Sequence, residues 1–347
     1  MTASLEHLTE RQKDILRSVI QCFIQSATPV ASQHLAARFF THLSPATIRN
    51  ELADLEEKGY IDHPHTSAGR VPTDKGYRVY VDNLIQYVEL TPAEKRALGQ
   101  RMTSATETEE VLQEASKILG KISHQLGIVT SPHIGAGVLE KIELVPVSTV
   151  RVLVILTMRS GIVKTITMEV AAEIRREKLE RICQTLNERL AGLTLAEIRD
   201  TFADRIKDLQ NEETGLIRLF IYSSKKLFDD SREREKLYIS GTQNIVEQPE
   251  FQKPGYVRTV IELLDDADFI LHVLEQHEER IGTEGVSVTI GNEHKNKKLE
   301  NYSLVISRYH VGDICGTIGL IGPKRMNYAK AVPLVDFAAQ TISHTLS

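Results

Sequence analysis

Arg49 and Asn50 stand side by side in SPATIRNELADLEEKG, residues 44–59 of a 347-residue chain. An arginine presents a guanidinium fork that matches the two acceptors of guanine. An asparagine presents the paired donor and acceptor that match adenine. The surrounding pattern suits that use. Taking 100° per residue from Ile48, Leu52 and Leu55 fall within about 40° of it and must be buried. Ala46, Arg49, Asn50 and Ala53 fall on the opposite face, with Thr47 at its edge. Two alanines there would let the helix backbone approach a ligand closely. Ser44 is a capping residue, and Pro45 suits the first helical position, where its missing N–H costs nothing. The helix should therefore start at 45, run to Lys58 and stop at Gly59. Its N-terminus would aim partial positive charge at a phosphate.

The flanking elements must position this helix. Thr9 and Gln12 form a capping-box pattern. Ile15, Leu16, Val19, Ile20, Phe23 and Ile24 then give a helical stripe. Thr28-Pro29 breaks it, a short helix covers about 32–39, and 41–43 make a turn. After Gly59, residues 60–63 read as a strand, 64–69 as a polar loop and 70–72 as the returning strand. Thr73 caps a further helix with Tyr77, Tyr80, Val81, Leu84, Ile85 and Val88 on its apolar side. This order is that of a winged helix-turn-helix, whose helix N-terminal residues enter a major groove. His65, Thr66, Ser67 and Arg70 on the hairpin, with Lys75 and Arg78 on the next helix, are then expected to touch DNA backbone, which fixes register more than it reads bases. Charge argues against a single copy. Residues 1–90 hold nine Lys and Arg but eleven Asp and Glu, whereas phosphate neutralisation supplies most non-specific affinity. Two copies on a symmetric site offset that deficit.

Beyond Thr91-Pro92 the pattern changes. A linker is expected over 91–104. Val111, Ala115, Ile118, Leu119, Ile122 and Leu126 give an amphipathic helix. Strands are expected over 138–147, 150–157 and 162–170, helices from about 173 to 279, strands again over 285–290, 303–309 and 314–321, and a last helix over 331–346. Strands, helices, then strands suggest one sheet domain interrupted by an insertion.

Composition bounds the remaining classes. Net charge is −5 and charged residues are 26%, so composition alone points to neither nucleic acid nor membrane. The start MTASLEHLTE carries no signal-peptide pattern, and no apolar run reaches the roughly 20 residues of a membrane span. Cys22, Cys183 and Cys315 are scattered, which is no disulfide framework. A cytoplasmic location is expected. The glycine-rich GDICGTIGLIGPKR at 312–325 lacks the order of a phosphate loop; its glycines are better explained by close backbone approach. His63 with His65, and His272 with His277, lack helical ligand spacing, so no metal and no cofactor are expected. No nucleophile elbow appears, and an enzyme is not expected.

Residues 43–82, LSPATIRNELADLEEKGYIDHPHTSAGRVPTDKGYRVYVD, closely resemble the N-terminal signature of the bacterial heat-inducible transcription repressor HrcA family. LYISGTQNIVEQPEF at 237–251, VSVTIGNE at 286–293 and GPKRMNY at 322–328 extend the resemblance across most of the chain, in family order. Pro45 departs from the small polar residue more usual there, so a side-chain contact at that position would be lost. The resemblance implies an α+β multidomain protein: a winged-helix domain at 1–90, a discontinuous GAF-like α/β domain at 105–172 and 285–347, and a dimerisation domain inserted at 173–284. It implies a homodimer on double-stranded DNA, at a palindromic operator of the CIRCE type upstream of chaperone operons, with the chaperonin GroEL as modulator. It places base reading on Ser44, Ala46, Thr47, Arg49 and Asn50. Leu237, Tyr238, Ile239 and Phe251 are candidates for the dimer contact, or for the insert's own core. The alternative function is a winged-helix regulator switched by a small ligand in the GAF-like domain.

Overall fold

The computed structural model describes residues 8–64, 69–103, 105, 107–170, 175–207, 220, 228, 236–252, 266–278 and 285–346. Two compact units emerge. One comprises residues 1–129, 237–308 and 317–342; the other comprises 130–236, 309–316 and 343–347.

The first unit opens with α1 (Glu10–Ser26), α2 (Ser32–Arg38) and α3 (Pro45–Glu57). The capping box forms as the sequence implied: the Thr9 hydroxyl accepts from the Gln12 N–H, and the Gln12 carboxamide accepts from the Thr9 N–H, each at 3.3 Å. Ile15, Leu16, Val19 and Ile20 of α1 are fully buried, as are Ile48 and Leu55 of α3. The antiparallel strands β1 (Ile61–Asp62) and β2 (Val71–Pro72) follow, in register Ile61 to Pro72. Thr73 caps α4 (Asp74–Val79), accepting from the Gly76 N–H at 3.1 Å. A π-type turn, Tyr80–Leu84, extends α4. A Cβ on Gly76 would lie 2.1 Å from the Tyr60 carbonyl oxygen, so only glycine lets α4 pack this tightly on the backbone that leads into β1.

The same unit continues with α5 (Pro92–Thr103), α6 (Thr108–Ser123) and a five-stranded sheet. The strands are β3 (Leu126–Thr130), β7 (Leu237–Ser240), β8 (Val286–Ile290), β9 (Tyr302–Val311) and β10 (Ile314–Pro323), in the spatial order β7-β3-β10-β9-β8. Leu126, Ile128, Tyr302, Leu304, Ile306 and Ile321 of this sheet share a core with residues from α9 (Thr242–Val246) and α10 (Ala267–Glu278), including Ile245, Ile270 and Leu274. The C-terminal helix is α11 (Tyr328–Leu346). A Cβ on Gly319 of β10 would sit 2.4 Å from the Val305 carbonyl oxygen. Close approach of backbone therefore accounts for a glycine in that stretch.

The second unit is an antiparallel meander of β4 (Leu139–Ser148), β5 (Arg151–Met158) and β6 (Val163–Glu169) with α7 (Arg176–Leu190) and α8 (Leu195–Arg205). Val152, Val154, Leu156 and Met158 alternate along one face of β5 and share a core with Leu179, Ile182 and Leu186 of α7 and Ile198 and Phe202 of α8. Asn187 latches α7 to the β4 backbone by accepting from the Ile142 N–H and donating to its carbonyl, both at 2.8 Å.

Strand placement therefore differs from the expected layout. The three strands over 139–169 form a sheet of their own with α7 and α8, instead of joining those at 286–323. The interruption runs from about 130 to 236, rather than over 173–284, because β7 returns the chain to the five-stranded sheet at Leu237.

Candidate nucleic-acid interface

Helix α3 starts where the capping logic requires. Ser44 Oγ accepts from the Thr47 N–H at 3.0 Å and lies 2.9 Å from Thr47 Oγ1. Ile48, Leu52 and Leu55 point inward, whereas Ala46, Arg49, Asn50 and Ala53 are exposed and Thr47 is half-buried. Among the described residues, neither Arg49 nor Asn50 has a hydrogen-bond or ion-pair partner. The expected reading face is thus an unobstructed surface with a fork and an amide on it.

The supporting cations sit differently. Arg70 is largely buried: one guanidinium nitrogen lies 2.7 Å from a Glu56 carboxylate oxygen and the other 2.8 Å from His63 Nε2. His63 Nδ1 is 3.4 Å from the same carboxylate. Arg70 therefore staples the hairpin to the end of α3. Lys75 donates to the Lys58 carbonyl at 2.7 Å and lies over the Tyr60 ring at 4.4 Å, satisfying the C-terminal end of α3. His65, Thr66 and Ser67 lie outside the described residues.

Arg78 departs furthest from expectation. Its Nε donates to Glu293 at 2.7 Å, one terminal nitrogen to the Val288 carbonyl at 2.6 Å and the other to Asp82 at 3.0 Å. Burial alone would lower its pKa, but the hydrogen bonds and charges of Glu293 and Asp82 together outweigh that and hold it above the usual arginine value. This guanidinium is consumed inside the protein and is not offered to a DNA backbone. Its neighbours extend the same seam. Asp74 receives Lys324 Nζ at 2.7 Å and the Asn292 N–H at 2.9 Å. Arg325 pairs with Glu250 and donates to the Ile24 carbonyl at 3.1 Å. Tyr77 stacks at a tilt on Tyr328, with ring centroids 6.1 Å apart.

Two of the four candidates for the dimer contact are engaged within the chain. Leu237 and Ile239, on β7, pack against the sheet core. Tyr238 is half-buried on the same strand, and Phe251 falls in the short 3-10 turn Pro249–Gln252. Leu237 and Ile239 thus serve the chain's own fold.

Residues 109–332 match the family model described as HrcA protein C terminal domain, and residues 5–69 match the LexA DNA binding domain. A heat-inducible transcription repressor HrcA of Chlorobium chlorochromatii (strain CaD3) is 43% identical over 98% of both chains. This chain belongs to the HrcA family. A relative of the same name from Prosthecochloris aestuarii is 41% identical over 98% of each chain. The crystal structure of a hypothetical protein covers 98% of both chains with a TM-score of 0.59 at 24% identity, a likeness of fold alone. The HrcA resemblance also gains a spatial meaning. Its four stretches meet in the seam just described: Asp74 and Arg78 come from the first, Glu250 from the second, Asn292 and Glu293 from the third, and Lys324, Arg325 and Tyr328 from the fourth.

Proposed function

We propose that this chain is a repressor of heat-shock chaperone operons. It binds as a homodimer to an inverted-repeat operator of the CIRCE type and is released on heat stress, when unfolded proteins titrate the chaperonin GroEL. It is a regulator, not an enzyme. The observation that carries this reading is the exposed face of α3, on which Ala46, Arg49, Asn50 and Ala53 stand clear while Ile48, Leu52 and Leu55 are buried.

Base reading is assigned to Arg49 and Asn50, with Ser44, Ala46 and Thr47 admitting the helix N-terminus to the groove. The net negative charge of residues 1–90 leaves one copy with little non-specific affinity. Two copies related by a two-fold axis read two half-sites, so the symmetry of the operator mirrors that of the protein. Because the reading helices are useful only as a pair, a shift of a few kcal/mol between active and inactive forms sets the repressed fraction. Bound repressor excludes polymerase from the promoter.

The dimer contact fits the open face of the meander. Val145 and Val163 are exposed there, at 42% and 54%, and the register places them on one face with half-buried Leu153 and Ile155.

Mobility shifts on the full inverted repeat and on one half-site, before and after mild heating, with and without GroEL, test the reading. The full repeat should bind far more tightly, heating should reduce binding, and GroEL should restore it. Equal affinity for half-site and repeat, or indifference to both heat and GroEL, overturns it.

A further inference from the structure

A cleft of about 400 Å³ opens between α5, α6 and the start of α11, and no residue of α3 lines it. Its floor is apolar: Ala97 from α5, and Ile118 and Ile122 from α6. Its rim is cationic, with Arg101 from α5, Lys117 and Lys121 from α6, and Lys330 from α11. Such a volume is in the range of small-ligand sites, where an apolar surface gives affinity and a few polar groups fix orientation.

Glu94, also on the wall, is taken up by Lys330 at 2.6 Å and by the Thr91 N–H and hydroxyl at 2.9 Å. The Lys330 hydrogen bond, followed by the Thr91 backbone, holds its pKa down at about 2. Glu114 is shared between Lys117 at 2.8 Å and Arg101 at 3.7 Å. Lys121 has no hydrogen-bond or ion-pair partner among the described residues. Four cations thus line the rim of this cleft, in a protein whose net charge is −5. Lys121 in the last turn also complements the end of α6, but Lys117 stands a full turn earlier, so the helix dipole does not account for both.

We propose that this cleft binds a small soluble amphiphilic anion, a phosphomonoester or carboxylate with a short apolar chain. The anionic head sits among Arg101, Lys117 and Lys121, and the chain lies over Ala97, Ile118 and Ile122. The site is independent of the operator reading. Its place in the chain gives it leverage, because α5 follows the N-terminal helical unit directly, and Val88 donates to the Ala329 carbonyl at 3.0 Å at the head of α11. A ligand spanning α5 and α6 favours whichever arrangement of that connection it binds better.

Calorimetric titration of the full chain with octyl phosphate below its micelle concentration tests this, with inorganic phosphate and 1-octanol as head-only and tail-only arms. Octyl phosphate should bind saturably, one per chain, and each fragment at least about tenfold more weakly. Lys121→Glu and Lys117→Glu should each weaken octyl phosphate roughly tenfold. Ala97→Trp should block it by filling the floor. All three substitutions are at solvent-facing positions, so unchanged circular dichroism and melting temperature verify the fold. No saturable binding, binding indifferent to these variants, or phosphate binding as tightly as octyl phosphate overturns the proposal. So does cosedimentation with phosphatidylglycerol vesicles in place of saturable binding to the monomeric amphiphile, which would make the cleft a membrane contact.

Discussion

Arg78 and Glu293, 215 residues apart in sequence, form a two-pronged ion pair that joins α4 to the turn after β8. The pair is partly shielded, with side-chain exposures of 18% and 31%. Together with Asp74–Lys324 it ties the helix that follows the wing to the elements around the five-stranded sheet. The orientation of α3 therefore depends on contacts distant from its own exposed face.

Arg78→Ala should destabilise the protein by about 1.5–3 kcal/mol, the range for hydrogen bonds to charged groups. It should leave unchanged the dependence of operator affinity on salt. A phosphate-contacting arginine would instead reduce the slope of log affinity against log salt by about one. Denaturant melts combined with salt titrations of operator binding separate the two roles.

Gly76→Ala should be among the most damaging single methyl additions in the chain. The new Cβ would meet the Tyr60 carbonyl oxygen, which belongs to backbone and has no rotamer to yield. A loss of several kcal/mol in a denaturant melt is expected. A variant as stable as wild type would show that α4 is not packed against the Tyr60 backbone as described.

Burial raises the pKa of Tyr328, although its hydrogen bond with Ser303 works in the opposite direction. The unfolded chain releases that proton near pH 10, while the folded chain keeps it. Between the unfolded value and the raised folded value, the unfolded state binds fewer protons, so stability falls as pH rises. Below the unfolded value the contribution is constant. Tyr77, raised by burial first and by the adjacent Tyr328 second, acts in the same direction. Tyrosinate absorbance from these two rings should appear only as near-ultraviolet circular dichroism is lost. Tyr328→Phe should lessen the alkaline slope; an unchanged slope would contradict the assignment.

Val145→Asp combined with Val163→Asp places two charges on the open face of the meander without touching the buried face of β5. Sedimentation equilibrium should show the wild type as a dimer and the double variant as a monomer with intact secondary structure. A double variant that remains dimeric would put the contact elsewhere.

The exposed face of α3 is legible in the sequence because a helix converts spacing into sides. Once Ser44 and Pro45 fix the start of α3, Arg49 and Asn50 can only stand opposite Ile48 and Leu52. The internal partners of the flanking cations are not legible. Arg70, Lys75 and Arg78 have the residue types of phosphate contacts, and nothing local distinguishes them from cations that close hairpins or join distant elements. Glu293 lies too far along the chain for any periodicity to pair it with Arg78. Leu126, the first residue of β3, continues the apolar stripe of α6, so periodicity alone carries the helix past its end. The helix in fact turns left-handed at His124, and the five buried residues that follow carry no alternation. Strand β7 falls inside the block expected to be helical for a related reason: four half-buried residues at a sheet edge give too short a signal. The inserted unit was visible as an interruption, but its ends depend on which strands pair, a non-local property.

The most direct test of the central claim is a competition mobility shift with full-length wild type, Arg49→Ala and Asn50→Ala on a palindromic chaperone-promoter operator, using operators altered one base pair at a time. Each variant should lose about 1–3 kcal/mol of discrimination at the base pair its side chain reads, with non-specific affinity and salt slope little changed. If both variants bind and discriminate as wild type does, the exposed face of α3 does not read DNA and the account is wrong.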